Sequence, residues 1–276
     1  LVALFAADDR QAAAEAYAAF AAALRGELDA DPDGETVRLY EALAADAAAR
    51  PAPPPPPAAQ TRAEAASWPR PLTRFVGRRE ELEALLRLLG RDDVRLVTVH
   101  GLGGVGKTRL ALEAARRHLR ERPAEAWFVP LGGVTTRAGL LAAIADALGM
   151  VPGGPRPLEA QVAERLALRG GLLVLDAFEG VAAASVVLSD LLERAPGLKV
   201  LVASRAALGL GAETVFTLDG LAAPPVEGAG DPLDYDAVRL FADRAAAQAG
   251  GAALGGDDLA AAAELARRVD GLPLAL

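Results

Sequence analysis

Gly101-Leu-Gly-Gly-Val-Gly106-Lys107-Thr108 fits the pattern G-x-x-x-x-G-K-[ST], and its flanks supply the context that gives the pattern meaning. Val94 to Val99 reads as a strand running into it, and an amphipathic helix opens at Lys107. Glycines at 101, 103, 104 and 106 let successive backbone N–H groups turn inward around phosphate oxygens. The N-terminus of the helix adds its partial positive charge. Lys107 can neutralise the outer phosphates, and the Thr108 hydroxyl is a ligand for Mg2+. His100, just ahead of the loop, reads as a structural residue at the strand end.

Outward from the loop, the pattern alternates. Helices are expected at Glu80 to Leu89, from Lys107, at Arg137 to Leu148, Leu158 to Leu168 and Val181 to Glu193. Strands are expected at Val94 to Val99, Ala126 to Leu131, Leu172 to Leu175, Lys199 to Ala203 and Thr214 to Leu218. Five strands interleaved with helices imply a parallel sheet covered on both faces, an α/β fold of the P-loop NTPase kind. After Asp231 only helices remain: Tyr235 to Gln248, Asp257 to Val269, and a start at Leu272.

Two strand ends add chemistry. Leu172-Leu-Val-Leu-Asp176 is an apolar strand closing on a carboxylate, the Walker B arrangement for holding magnesium. Many buried strands end in Asp, so the signal draws its force from the loop at 101–108. Lys199-Val-Leu-Val-Ala-Ser204-Arg205 ends in a guanidinium able to pair with a terminal phosphate, although a solvated loop arginine reads the same way.

Composition narrows the classes. The chain has 276 residues, 52% hydrophobic but only 4% aromatic, so its core is expected to be Leu, Val and Ala. A net charge of −8 speaks against a nucleic-acid footprint spread over the whole chain, since such footprints are basic. Cysteine is absent, which removes disulfides, Cys-based zinc sites and thiol nucleophiles. Two histidines make a His-rich metal site unpromising. Mean hydropathy is +0.23, an alanine effect. The apolar runs are broken by Asp176, Glu179 and Asp190, where a membrane span needs about 20 nearly uninterrupted apolar residues. No signal peptide and no membrane span are read, and a cytoplasmic location is expected.

Four segments follow. Residues 1–50 read as two amphipathic helices joined at Asp31-Pro32-Asp33-Gly34, with Tyr17, Phe20 and Leu24 on one face of the first. Residues 51–70, with Pro51 and Pro53 to Pro57, read as an extended proline linker. Residues 71–225 form the nucleotide-binding domain, and 226–276 a truncated helical subdomain. Leu1 opens the chain, Met150 is its only methionine, and it closes on Gly271-Leu-Pro-Leu-Ala-Leu276, so it reads as an excised segment of a longer protein.

The order Phe75-Val-Gly-Arg78, Walker A, Walker B, Ser204-Arg205 and Gly271-Leu-Pro273-Leu-Ala275 resembles the NB-ARC module of STAND ATPases. Pro71-Leu-Thr-Arg-Phe-Val-Gly-Arg78 and Gly-Val-Gly-Lys-Thr-Arg109-Leu-Ala-Leu-Glu113 are similar to AfsR/SARP-type bacterial transcriptional regulators. Residues 16–41 resemble the tail of the bacterial transcriptional activator domain, a TPR-like helical domain, that precedes NB-ARC in those regulators. The resemblance implies ATP/ADP with Mg2+ and a nucleotide pocket of Val76, Arg78, the loop Gly101, Gly103, Gly104, Val105 and Gly106, then Lys107, Thr108, Arg109 and Pro273. It implies catalytic roles for Lys107, Asp176 and Arg205, the last reading the γ-phosphate, and metal ligation by Thr108 and Asp176. The Arg205 strand would lie between the two Walker strands, and Pro273 would close over bound ADP.

Two residues depart from that pattern. Arg79 stands where relatives carry Glu, and Ala177 follows Asp176 where relatives carry a polar residue. Hydrolysis needs a group to orient or deprotonate water, and Glu179 is the nearest acid, so slow turnover is expected. The reading is a nucleotide-operated switch of a transcriptional regulator, reaching DNA only through a domain outside this segment and self-associating when ATP-bound. A P-loop ATPase or kinase acting on a small molecule is the alternative, and a scaffold with a structural loop is a third.

Overall fold

The computed structural model describes residues 34, 37, 38, 68, 69, 71, 73–151, 153, 155–226 and 230–276. The chain divides into two compact units, Leu1–Pro57 and Ala58–Leu276. In the first, Gly34, Val37 and Arg38 are helical, and Arg38 Nε donates to the Gly34 carbonyl at 3.0 Å. Gly34, read from the sequence as part of the break, thus takes helical geometry, at the modest entropic cost of a helical glycine. The rest of the expected hairpin, and the proline run, lie outside the described residues.

The second unit is built on a five-stranded, wholly parallel sheet in the order β2-β3-β4-β1-β5. Its strands are β1 (Leu96–His100), β2 (Ala126–Pro130), β3 (Gly171–Asp176), β4 (Leu198–Ser204) and β5 (Glu213–Thr217). Five helices accompany it: α1 (Arg79–Gly90), α2 (Lys107–Glu121), α3 (Arg137–Ala147), α4 (Leu158–Arg169) and α5 (Val186–Arg194). The strand pleat explains how an almost unbroken apolar run serves both faces. Leu173 and Leu175 pack with Leu140, Ile144, Leu166 and Leu191 of α3, α4 and α5. Their alternates Leu172 and Val174 pack with Leu82, Leu85 and Leu110 of α1 and α2. A sheet buried on both faces calls for apolar residues at every position, as the continuous run in β3 provides.

Two further helices, α6 (Asp236–Gln248) and α7 (Gly256–Arg268), pair beyond the sheet within the same compact unit. The small core of the pair is Leu221, Ala237, Val238, Ala262, Ala263 and Ala266, the alanine packing that the low aromatic content anticipates. No helix of the described residues is long and apolar enough to cross a membrane.

The structure departs from the expected elements in two places. The helix read at Val181 to Glu193 is a 3-10 segment, Phe178–Ala184, followed by α5, with Val181 at non-helical φ −118°, ψ 19°. The cause lies at Gly180, where a Cβ would stand 2.6 Å from the Val134 carbonyl oxygen. Backbone packed that closely cannot relax into a regular helix. The start read at Leu272 is a turn, in which Ala275 N–H donates to the Leu272 carbonyl. Trp68, inside the stretch read as linker, is buried, its ring centroid 6.2 Å from that of Phe128. A tryptophan offers a large apolar area that proline-alanine composition conceals.

Candidate functional site

Strand order brings the chemistry together. Because β4 lies between β1 and β3, the carboxyl ends of all three open on one edge, with Ser204 in register with His100. Ligands of parallel α/β sheets bind at that edge. The loop leaves β1 at His100, and Gly104 (φ +78°) and Gly106 (φ +103°) take the left-handed turns that aim it into α2. A Cβ on Gly106 would meet nothing within 4 Å apart from its chain neighbours, so the turn there is not crowded by other elements.

Lys107 Nζ donates to the carbonyls of Gly101 at 2.9 Å and Leu102 at 2.8 Å. Burial lowers its pKa below the usual lysine value, with Arg205 acting in the same direction while Glu179 and Asp176 oppose. Thr108 Oγ1 donates to Asp176 Oδ1 at 2.6 Å, joining the two Walker motifs directly. These hard oxygen donors suit Mg2+, which keeps water and phosphate oxygens in most of its positions. Among the described residues no three His, Asp or Glu side chains converge to hold a metal alone.

Arg205 follows Ser204, whose Oγ accepts from the Ala206 N–H at 3.2 Å and fixes the turn. The guanidinium lies beside the loop, since a Cβ on Gly103 would stand 3.5 Å from Arg205 Cζ. Its Nε pairs with Glu179 Oε1 at 3.1 Å. The sequence offered Glu179 only as the nearest acid, and the fold brings it to the phosphate edge.

Ala177, between Asp176 and that turn, has φ 58° and ψ 49°. A left-handed conformation costs an L-residue about 1–2 kcal/mol, a strain glycine avoids. Ala177→Gly is therefore expected to stabilise the fold by about 1 kcal/mol net of glycine's entropy, raising Tm by about 2–4 °C in a calorimetric scan. A lowered Tm would show that the turn carries no such strain.

A cleft on the other side of the loop encloses, with the solvent at its mouth, about 480 Å³. It is lined by Thr73 to Val76, Arg78, Val105, Gly106, Arg109, Leu221, Leu240, Arg244 and Pro273. Six residues assigned to the pocket from sequence are thus among its lining: Val76, Arg78, Val105, Gly106, Arg109 and Pro273. Arg78 serves as a strut. It is 5% exposed, donating to Glu81 Oε1 and to the Val105 carbonyl, both at 3.0 Å. Arg109 likewise donates to Thr73 Oγ1 and to the carbonyls of Thr73 and Arg74, strapping the entry segment onto α2. Arg79 is 89% exposed and pairs with Glu83, so its departure from the family pattern falls on the solvent side.

Three contributors carry no sequence signal. Asp236 Oδ2 accepts the Arg78 N–H at 3.1 Å, Arg244 Nη1 donates to the Pro273 carbonyl at 2.6 Å, and Leu274 N–H donates to the Gly104 carbonyl at 3.2 Å. Asp236 and Arg244 are ordinary polar positions on an amphipathic helix, and a backbone N–H has no signature.

A parallel sheet whose central strands deliver a glycine loop, a Thr–Asp pair and an arginine to one edge defines a P-loop nucleotide-binding module. The chain belongs to the AAA ATPase domain family, which matches residues 74–269. An uncharacterized protein of Mycobacterium tuberculosis is 36% identical over 209 residues, covering 75% of this chain and 50% of its own length. A second protein of that organism, named by inference an HTH-type transcriptional regulator, is 33% identical over 184 residues, 66% of this chain and 19% of its own. The chain thus spans half the length of the first relative and less of the second. Among solved structures, a STAND protein with a tetratricopeptide repeat sensor from Pyrococcus horikoshii aligns at a TM-score of 0.43 and 22% identity, over 74% of this chain and 29% of that one. Cdc6p from Pyrobaculum aerophilum aligns at 0.49 and 18% identity, over 67% and 53%.

Proposed function

We propose that this chain is the nucleotide-operated switch of a bacterial transcriptional regulator of the AfsR/SARP kind, an NB-ARC module of the STAND class. It would bind ADP or ATP with Mg2+ and hydrolyse ATP slowly. Residues 1–50 would be the end of an activator domain, and DNA would be met through a domain outside residues 1–276. The similarity to a relative named as an HTH-type regulator supports that placement. It would act in the cytoplasm and self-associate in the ATP-bound form.

One observation carries the switch reading. The Gly271-Leu-Pro-Leu274 segment, which follows α7, hydrogen-bonds the phosphate loop itself, Leu274 N–H to the Gly104 carbonyl. Pro273 lines the same cleft as Val76 and Arg78, and Arg244 of α6 holds its carbonyl. A nucleotide seated in the loop and the position of the helical pair would then be mechanically linked.

Each residue has a defined task in this reading. The loop amides and Lys107 would hold the phosphates, Thr108 and Asp176 the Mg2+, and Arg205 would meet the terminal phosphate. Bound Mg2+ supplies charge neutralisation on the phosphate oxygens. Ala177 offers no polar atom to orient water, which favours turnover well below the enzymatic median of about 10 s⁻¹.

The test is the nucleotide that co-purifies with the protein and its release rate. Tightly held ADP is expected, with Pro273→Ala releasing it about tenfold faster, since each 1.4 kcal/mol of lost contact is tenfold. An unchanged release rate would remove Pro273 from the closure. An empty site with fast turnover on a small molecule would favour the ATPase or kinase alternative.

A further inference from the structure

We infer that Glu179 and Arg205 form a gate, in which Arg205 holds the water-orienting carboxylate of Glu179 until a γ-phosphate takes the guanidinium. The inference rests on the nucleotide-switch reading above. It starts from the position after Asp176, an alanine, which has no side-chain atom to orient or deprotonate water. Its geometry is not wasted. The left-handed Ala177 turns the chain back, and the 3-10 segment, pinned at Gly180 against Val134, sets Glu179 toward the end of β4. There it meets Arg205 Nε at 3.1 Å.

Arg205 has two neighbours of opposite use. Nε holds Glu179, and the same Nε and Nη2 lie 3.6 and 3.5 Å from the Cβ position of Gly103, on the loop where phosphate oxygens would gather. The arginine cannot satisfy both with the same edge. The pair is half open to water, with side chains 67% and 36% exposed, and exposed pairs are weak. A weak pair suits exchange. A γ-phosphate offers more charge and more acceptor oxygens than one carboxylate, so the guanidinium would transfer to it. Glu179 is then released at the phosphate edge, where its charge already acts on Lys107.

Glu179, once free, accepts a proton from the attacking water. The water oxygen bonds to the γ-phosphorus as the bond to the β–γ bridging oxygen breaks, and ADP leaves with that electron pair. The proton held by Glu179 passes to the phosphate released. With ADP alone, nothing competes for Arg205 and the carboxylate stays engaged.

The test compares wild type, Glu179→Gln, Arg205→Ala and the double variant. Affinities for ADP and for β,γ-imido-ATP are measured by titration, alongside single-turnover hydrolysis. Glu179→Gln frees the arginine, so imido-ATP is expected to bind about fivefold tighter with ADP unchanged. Hydrolysis is expected to fall about 100-fold or more. In the Arg205→Ala background the same substitution is expected to leave the imido-ATP to ADP ratio alone, the signature of coupling between the two. An unchanged ratio in Glu179→Gln, the same gain without Arg205, or undiminished hydrolysis would each overturn the gate. Wild-type protein that binds neither nucleotide would instead remove the switch reading, and the gate with it.

Discussion

Lys107→Ala is expected to lower affinity for ADP and ATP by two to three orders of magnitude, the largest loss any single side chain should cause. Lys107 is partly buried against the loop it opens from, with its ammonium held by the Gly101 and Leu102 carbonyls. Those carbonyls and the loop amides are backbone, and remain after the substitution. What disappears is the full positive charge facing phosphates in a site partly shielded from solvent. Truncating one partner of such a charge pair costs about 2–5 kcal/mol, and each 1.4 kcal/mol is tenfold in affinity. Titration with a fluorescent nucleotide reads the loss directly. Thermal unfolding reads it again, because nucleotide at a concentration that just saturates the wild type should raise its Tm and leave that of the variant nearly unchanged. Equal affinities would mean that the loop is not the phosphate site.

Gly271→Ala is expected to destabilise the fold by about 2–5 kcal/mol and to loosen the helical pair. Gly271 has φ +61°, and a Cβ there would stand 1.9 Å from the Leu221 carbonyl oxygen. Across the junction, the Leu221 N–H donates to the Gly271 carbonyl at 2.8 Å. The conformational part is worth about 1–2 kcal/mol and the steric part about 1–3 kcal/mol. Both fall on backbone, which cannot swing aside as a long side chain can. Urea unfolding measures the sum. Gly250→Ala isolates the first part, since Gly250 has φ +68° with no atom within 4 Å of its Cβ position. Hydrogen exchange should rise in α6 and α7 of the Gly271 variant. Protection equal to wild type there would show that this junction does not anchor the pair.

The strand and helix spans were largely legible because each depends on residues near in sequence. β3 ends at Asp176 and α2 opens at Lys107, as apolar run and glycine loop require. The 3-10 segment was not legible. Its alanines favour a regular helix, and the contact of Gly180 with the Val134 carbonyl overrides them. Trp68 was lost to its proline-rich surroundings, though the core takes it. At the site, Lys107, Thr108 and Asp176 were named from motif alone, yet the 2.6 Å link between Thr108 and Asp176 is a product of strand order. Arg78 lines the cleft, and its guanidinium is tied to Glu81 and the Val105 carbonyl, partners that the motif does not name.

Taken by itself, the stretch Gly101 to Thr108 determined that a phosphate-binding loop joins a strand to a helix, because glycine freedom and helix polarity are local properties. The alternating apolar runs determined a parallel α/β sheet for the same reason: periodicity is written residue by residue. Tertiary structure alone decided that Glu179 meets Arg205, that Arg244 holds Pro273, and that Leu274 bonds the loop at Gly104. Such partners stand 26 to 170 residues apart in sequence, and they meet only because two faces of one sheet and a helical pair close around a single edge.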